Sequence, residues 1–454
     1  MITLLLLLEF VIWTGCLLHC RANRQLSIFQ PVSILLGYHL LFHLLKPFLW
    51  YYFNHNHAFE YMQFYPSEES VTNSIFISIA GLLSSYSAYV LLFRYDNDTV
   101  RAKLAAAISS ARISVTTRAA ILVVMALSFG AFVQRLRGYL GEDVGVRLVQ
   151  DARTGVQVFS EGSGWWFELS SAYVFCGIYL WMTSRFSRPW AVAMSTLGFL
   201  WLTVGRSRFV FVYWAITVLI LVLIRSKLNA RKLLVFAPLA AILITSFVLL
   251  GQNRAAIREM VLGGDSKPQV SDTWNRASPL DTLDMSTFEV QTALIDAVPR
   301  LTDSFSYFTQ HLRILTEPIP RALWSDKPLG NPIEFFDINR FVNLTSLSTG
   351  WYGEGWLSYG ILGVLTTCVI YVALSSFALR ILLMNGGPNA AFVYIVLIPL
   401  HLQWMRDGVL ISILKFTLFL TLPAIIAAVV AKSTRTDRNF SAKRQQFPTS
   451  RSQI

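Results

Sequence analysis

Charge is what this chain has least of. Only 14% of its 454 residues are Asp, Glu, Lys or Arg, while 54% are hydrophobic; a soluble domain carries about 25% charged residues. Length alone would suggest about three soluble domains, but so few charges cannot coat their surfaces. Cysteine is scarce as well. Cys16, Cys20, Cys176 and Cys368 sit in or beside apolar blocks and form no CxxC pair, which excludes a disulfide framework and a thiolate metal site. No Walker A run and no HExxH pair occurs. Asp96 and Asp98 have the spacing of a metal-binding acidic pair but stand among basic residues, where a solvated turn is expected. That counts against a cytosolic nucleotide-sugar transferase. No internal repeat of the transporter kind is visible.

What is present is a series of apolar blocks of about 18–25 residues, the length that crosses a hydrocarbon core of about 30 Å. They predict membrane helices at about 2–19, 28–50, 71–93, 119–134, 166–184, 189–204, 209–224, 233–251, 356–378, 389–403 and 409–431. The first block has no basic residue ahead of it and no small-residue cleavage site behind it, so a retained helix is expected rather than a signal peptide. Arg21, Arg24, Arg94, Arg101, Lys103, Arg112, Arg118, Arg185, Arg188, Arg225, Lys227, Arg231, Lys232 and Arg380 all fall on one side of this alternation. The segment from Tyr51 to Ser70 on the other side has Glu60, Glu68 and Glu69 and no Lys or Arg. The positive-inside rule then places the N-terminus outside and the C-terminus inside. The net charge of +12 is thereby explained by topology, with no nucleic-acid partner. The expected fold is an all-α polytopic membrane protein of about eleven transmembrane helices with one large helical periplasmic loop. Its parts are residues 1–251 (helices 1–8), 252–355 (the loop), 356–431 (helices 9–11) and 432–454 (a basic, disordered cytoplasmic tail).

Loops as long as 252–355 are uncommon without a function. Within it Ser286 and Glu289 have capping-box spacing, predicting an amphipathic helix to Val298. A second helix is expected from Leu301 to Leu315, ended by Pro318 and Pro320.

Basic residues on the outer side need a reason other than topology. Gly205-Arg206-Ser207-Arg208 and Arg406-Asp407-Gly408 fill tight outer turns, and Arg254 and Arg258 open the large loop one helical turn apart. Guanidinium forks bind phosphate oxygens in pairs and stay charged, so converging arginines would hold a lipid pyrophosphate. Taken singly, each could instead snorkel to lipid phosphates or cap a helix end. Lys415, eight residues past Asp407, is expected on the same helical face, buried in the bundle or paired with Asp407 or Glu9. Glu9 reads as an ion-pair partner, and Lys46 as a residue snorkelling from the outer end of its helix.

The loop continues Ile319-Pro320-Arg321-Ala322-Leu323-Trp324-Ser325-Asp326-Lys327-Pro328 and then Gly350-Trp351-Tyr352-Gly353-Glu354-Gly355, with Tyr359-Gly360 and Gly363 after it. With the Gly-x-x-Arg turn and the late Arg-x-Gly turn, these runs resemble the Wzy-type polymerases of O-antigen, capsule and exopolysaccharide repeat units. The resemblance implies a donor glycan on undecaprenyl pyrophosphate and a lipid-linked repeat unit as acceptor, in the bacterial inner membrane, with no cofactor. A flippase and a chain-length regulator would be partners. It casts Glu354 as base, ahead of Asp326 and His311, and Arg254 and Arg406 as catalytic cations. Arg206, Arg208, Arg258, Arg321, Lys327, Asp407 and Lys415 would line the pyrophosphate site. Trp324, Trp351 and Tyr352 would stack on sugars or else anchor at the interface, and Gly353, Gly355, Gly360 and Gly363 would permit close helix packing. An O-antigen ligase or other lipid-phosphate glycosyltransferase is the neighbouring alternative, although the ligases' loop histidine motif is not evident. A lipid-linked sugar flippase and a non-catalytic scaffold are the alternatives from other classes.

Overall fold

A computed structural model of the chain describes residues 1–139, 148–150, 157–159, 168–183, 209–225, 281, 283–316, 323–324, 336, 338–344 and 347–446. The elements are α1 (Ile2–Ala22), α2 (Pro31–His39) running through a π turn (Leu40–Leu44) into α3 (Leu45–Phe53), α4 (His57–Met62), α5 (Glu68–Leu92), α6 (Asn97–Ser109) and α7 (Val115–Tyr139). A two-stranded antiparallel ribbon pairs β1 (Leu148–Gln150) with β2 (Gln157–Phe159). Then follow α8 (Ala172–Thr183), α9 (Phe209–Arg225), α10 (Thr287–Ala297), α11 (Thr309–Leu312), α12 (Gly350–Asn385), α13 (Pro388–Asp407) and α14 (Leu410–Gln446). Among the described residues, six helices are long and apolar enough to cross a membrane: Ile2–Ala22, Pro31–Phe53, Glu68–Leu92, Val115–Gln134, Gly350–Asn385 and Ile413–Ser433. The protein is therefore a multi-pass membrane protein. The expected helices at 189–204 and 233–251 lie outside the described residues.

Local chemistry sets the helix ends. Ser67 caps α5 by accepting from the Ser70 amide at 3.1 Å, with Glu68 and Glu69 in the first turn. Asp96 does the same for α6, accepting from Thr99 at 2.7 Å. Those bonds to Thr99 hold the Asp96 carboxyl below its ordinary range. Asp96 and Asp98 thus begin a helix; they do not form the free turn expected of them. α13 starts on Pro388 and stops at Gly408, whose φ of 71° suits a residue without a Cβ.

Hydrogen bonds sort the chain into two ends. At one, the Asn97 amide donates to the Arg24 carbonyl (3.0 Å), Arg101 donates to the Leu223 carbonyl (3.1 Å), and Arg225 donates to the Met182 carbonyl (2.9 Å). Basic segments far apart in sequence therefore gather together. The opposite end collects α4, α10, residues 299–316, 338–344 and 347–349, and the turn at Gly408. There the Asn343 amide donates to the Met62 carbonyl (3.2 Å) and His57 donates its amide to Asp281 (3.3 Å).

Three expectations need correcting at this second end and in the tail. α10 is not amphipathic at a loop surface, since every residue from Thr287 to Ile295 is buried. Gln291 donates to the Ser74 carbonyl (3.0 Å) and to Ser78 Oγ (3.2 Å) of α5. Ser78 lies ten residues beyond Glu68, about 15 Å along the helix at 1.5 Å per residue, which is half of a hydrocarbon core of about 30 Å. The loop helix therefore enters the bundle. Ser286 does precede α10, but its hydroxyl donates to the Leu283 carbonyl at 2.7 Å and makes no cap. The helix expected over 301–315 shrinks to the single turn of α11 and a 3-10 turn, Arg313–Leu315, because Asp303, Tyr307 and Phe308 adopt positive φ. In the tail, α14 continues helically to Gln446, where disorder from residue 432 was expected.

α12 breaks at Tyr359 and Gly360, where Gly360 has φ 57° and ψ −143°. Before the break, residues 350–358 fold back so closely that a Cβ at Gly355 would strike the Val364 backbone, and one at Gly363 the Gly355 carbonyl. The glycines of this run permit that approach, as their spacing predicts.

Candidate functional site: a buried polar row beneath an arginine turn

α2, its π turn and the start of α3 present Tyr38, His39, His43 and Lys46 toward the interior, all of them at most 1% exposed. π turns recur at functional positions because they shift the register of the side chains that follow. His39 Nε2 lies 2.9 Å from Glu9 Oε1, and its Nδ1 lies 3.3 Å from the Tyr352 hydroxyl. His43 Nδ1 is 3.1 Å from Ser78 Oγ, and its Nε2 is 3.1 Å from the Tyr38 hydroxyl. The two rings stack at 5.5 Å with 27° between planes. A neutral imidazole has one donor and one acceptor. His39 therefore bridges the Glu9 carboxyl and the Tyr352 hydroxyl, donating at one ring nitrogen and accepting at the other. This is the carboxylate–imidazole–hydroxyl order that orients a ring and moves a proton along it. Tyr352 is fixed in turn, because α5 brings Gly81 against its ring and any Cβ there would overlap it.

One turn on, Lys46 Nζ lies 2.6 Å from Glu289 Oε1 and 3.5 Å from Asp281 Oδ1. Burial pushes the Glu289 carboxyl up and the Lys46 ammonium pulls it back. Lys46 therefore does not snorkel; it ties α10 to α3.

The arginine turn sits over this row. Arg406 Nη1 lies 2.8 Å from Asp407 Oδ1, and the same oxygen accepts from Ser348 Oγ at 3.1 Å. Thr349 Oγ1 donates to the Asp407 carbonyl at 3.2 Å. Gly408 and Gly350, both at positive φ, let the two backbones touch; a Cβ on Gly408 would strike the Gly350 carbonyl. A side chain on Gly350 would meet Thr287, the Tyr38 hydroxyl and the Met405 carbonyl, so Tyr38 connects the turn to His43.

Glu354 stands apart from these contacts, on the face of α12 toward α11. It is 1% exposed and hydrogen-bonded to Gln310, which also donates to Ser358 at 2.7 Å. Its Oε2 has no hydrogen-bond partner among the described residues, a state it shares with Oε2 of Glu9 and of Glu289. It lies beyond the first turn of α12, so a macrodipole role does not account for it. His311 bonds to Tyr371 at 3.1 Å, and burial pushes its imidazole down to about 4. It is therefore neutral, and a weak base, near pH 7.

Of the residues picked from sequence, the structure thus seats Arg406 and Asp407 against the start of the Gly-Glu helix. Arg206, Arg208, Arg254, Arg258, Arg321, Lys327 and Asp326 lie outside the described residues. Lys415 is half-buried in α14, and Gly408 separates that helix from α13, so it does not share a helical face with Asp407. Trp351 and Tyr352 are 2% and 0% exposed and stacked on one another at 5.6 Å; they offer no ring face to a sugar. Trp324 is 38% exposed and does. Sequence reasoning missed Tyr38, His39, His43 and Gln291. The available signal was His39 and His43 at i, i+4 with Lys46 behind them inside an apolar block, since ionisable groups at membrane depth are functional by default.

Compared with known proteins, the chain matches no family model, no curated protein and no solved structure.

Proposed function

We propose that this protein is a metal-independent membrane glycosyltransferase that polymerises undecaprenyl-pyrophosphate-linked repeat units into O-antigen, capsule or exopolysaccharide. It works at the periplasmic face of the bacterial inner membrane, with about eleven spans, the N-terminus outside and the C-terminus inside. The observation that carries this reading is the seating of Arg406-Asp407-Gly408 on Thr349-Gly350. The late arginine turn and the Gly-Glu helix start, the two resembling motifs that are described, meet at one end of the bundle, away from the basic segments.

In the reaction, an acceptor hydroxyl oxygen bonds to the anomeric carbon of the donor. The bond from that carbon to the pyrophosphate oxygen breaks, and the hydroxyl proton passes to a base. Negative charge grows on the departing pyrophosphate, where a fixed guanidinium such as Arg406 stabilises it without reorganisation. Glu354, buried and with one oxygen unengaged, is the preferred base.

A lipid-linked sugar flippase is the second reading, favoured by the Glu9–His39–His43 row at membrane depth, the kind of chain that proton-coupled carriers use. A deletion strain separates the two. Loss of a polymerase leaves single capped repeat units, loss of a ligase leaves lipid-linked polymer, and loss of a flippase leaves neither at the surface. Within the polymerase reading, Arg406→Ala, Arg206→Ala and Arg254→Ala each abolish long chains while the protein stays in the membrane. Normal chain ladders in all three defeat the shared anionic site.

A further inference from the structure

Beside the bundle end that carries the arginine turn, α3 and α4 enclose an open cavity of about 320 Å³ lined by Trp50, Tyr51, Asn54, Asn56, Glu60 and Tyr65. This is near the lower limit of ligand pockets, about 300–1,000 Å³, and suits one or two sugar rings. Asn54 ends α3 in the left-handed region, with φ 58°. Its Oδ1 accepts from Asn56 Nδ2 at 2.9 Å, which holds both carboxamides at the rim. Trp50 packs edge-on against Phe59 at 6.0 Å. The floor is rigid: Phe59 and Met62 are buried in one cluster with Val290, Leu294 and Leu357, the last of these three residues from Glu354.

The chemistry of this lining selects its ligand. Flat aromatic faces beside carboxamide and carboxylate groups match a saccharide, whose C–H faces are apolar and whose hydroxyls both donate and accept. An interfacial anchor for lipid phosphates would add Lys or Arg to its aromatics, yet none occurs between Lys46 and Arg94. The acids here are Glu60 in the lining, with Glu68 and Glu69 nearby in sequence, so an anionic ligand is repelled.

We propose that this cavity is a glycan subsite for neutral or amino sugars, holding the saccharide part of the lipid-linked substrate while its pyrophosphate lies toward the arginine turn. It rests on the polymerase reading for its role, though not for its binding. It also relocates the stacking aromatics from the buried Trp351 and Tyr352 to Trp50, Tyr51 and Tyr65.

The test uses saturation-transfer NMR on the full chain in lipid nanodiscs, with lactose, diacetylchitobiose and glucuronate as probes. Lactose or diacetylchitobiose receives saturation and glucuronate does not. Tyr65 is 83% exposed, so Tyr65→Ala leaves the fold intact and weakens binding about tenfold, the loss of a contact worth about 1.4 kcal/mol. Glu60→Gln admits glucuronate. Saturation of no neutral sugar, or equal saturation of wild type and Tyr65→Ala, overturns the subsite. A deletion strain separates the two ideas: normal polymer without the protein sinks the polymerase reading and leaves the subsite standing, whereas loss of polymer with no saturation of any neutral sugar sinks the subsite alone.

Discussion

The two ends of the bundle treat charge in opposite ways. At the basic end, Arg101 and Arg225 lie along helix ends and donate to backbone carbonyls, with Arg225 itself exposed. Each could be lost without leaving a buried partner charge. At the other end, Lys46, Glu289, Glu9 and His39 are at most 1% exposed and lie in close pairs, Lys46 with Glu289 and His39 with Glu9. Both patterns arise from the same scarcity of charge. Where water is near, a cation needs only a carbonyl or a phosphate; inside the bundle, desolvation exceeds what one poor contact returns, and only close pairs survive. Charge at the first end reports topology, and charge at the second reports design around a site.

The largest break in that contrast should come from Lys46→Met, which leaves Glu289 and Asp281 buried without their cation. We expect a loss of about 3–5 kcal/mol, read as a collapse of thermal stability in detergent, with partial recovery when Glu289→Gln is added. Stability unchanged in the single variant would mean that the pair is not the tie between α3 and α10. Gly408→Ala comes next, since its Cβ meets the Gly350 carbonyl at a positive φ; the expected loss is about 1–3 kcal/mol, with the proposed polymerising activity falling alongside. Glu9→Gln keeps the shape of the row and weakens the 2.9 Å contact to His39. About 1 kcal/mol should be lost, and a cycle with His39→Gln should show coupling of at least about 0.5 kcal/mol, the value that separates interacting from independent sites.

Acid provides a subtler probe. His311 falls to about 4 from an ordinary 6.5 because it is buried. As pH drops, the unfolded chain takes up this proton first, so its contribution to stability is intact above about 6.5 and declines down to about 4. Melting temperature against pH should therefore slope in that window, and His311→Gln should flatten it. A slope that persists in the variant assigns the effect elsewhere. The smallest effect is expected at the basic end, where Arg225→Ala should change stability by no more than about 0.5 kcal/mol. A loss as large as that of Lys46→Met would erase the distinction between the ends.

Much of the fold could be read along the chain because hydrophobic length is a local property. Blocks such as 2–19 and 71–93 became α1 and α5 with shifts of a few residues. The glycines around residue 355 and the turn at 406–408 were legible for the same reason: a short run carries its own backbone requirements. The buried row was not. Glu9, His39, Tyr352 and Gln291 are separated by up to several hundred residues, and no spacing rule links them. α10 was expected to be amphipathic from its local pattern, and only the structure shows Glu289 facing Lys46 of α3 and Gln291 donating into α5. Trp351 and Tyr352 looked available to sugars because aromatic residues near a membrane end are often exposed, and only packing against Gly81 and the histidines reveals otherwise.

By itself the sequence determined that this protein lives in a bilayer, where several of its spanning helices lie, and which segments collect positive charge. Each of these follows from the transfer energy of contiguous stretches. Tertiary structure alone decided that a loop helix reaches half-way into the bundle, that Lys46 is paired and not anchored at the surface, and that His39 joins Glu9 to Tyr352. Those outcomes depend on which polar group happens to face which across a low-dielectric interior, where a partner a few ångströms away outweighs everything written next to it in the chain.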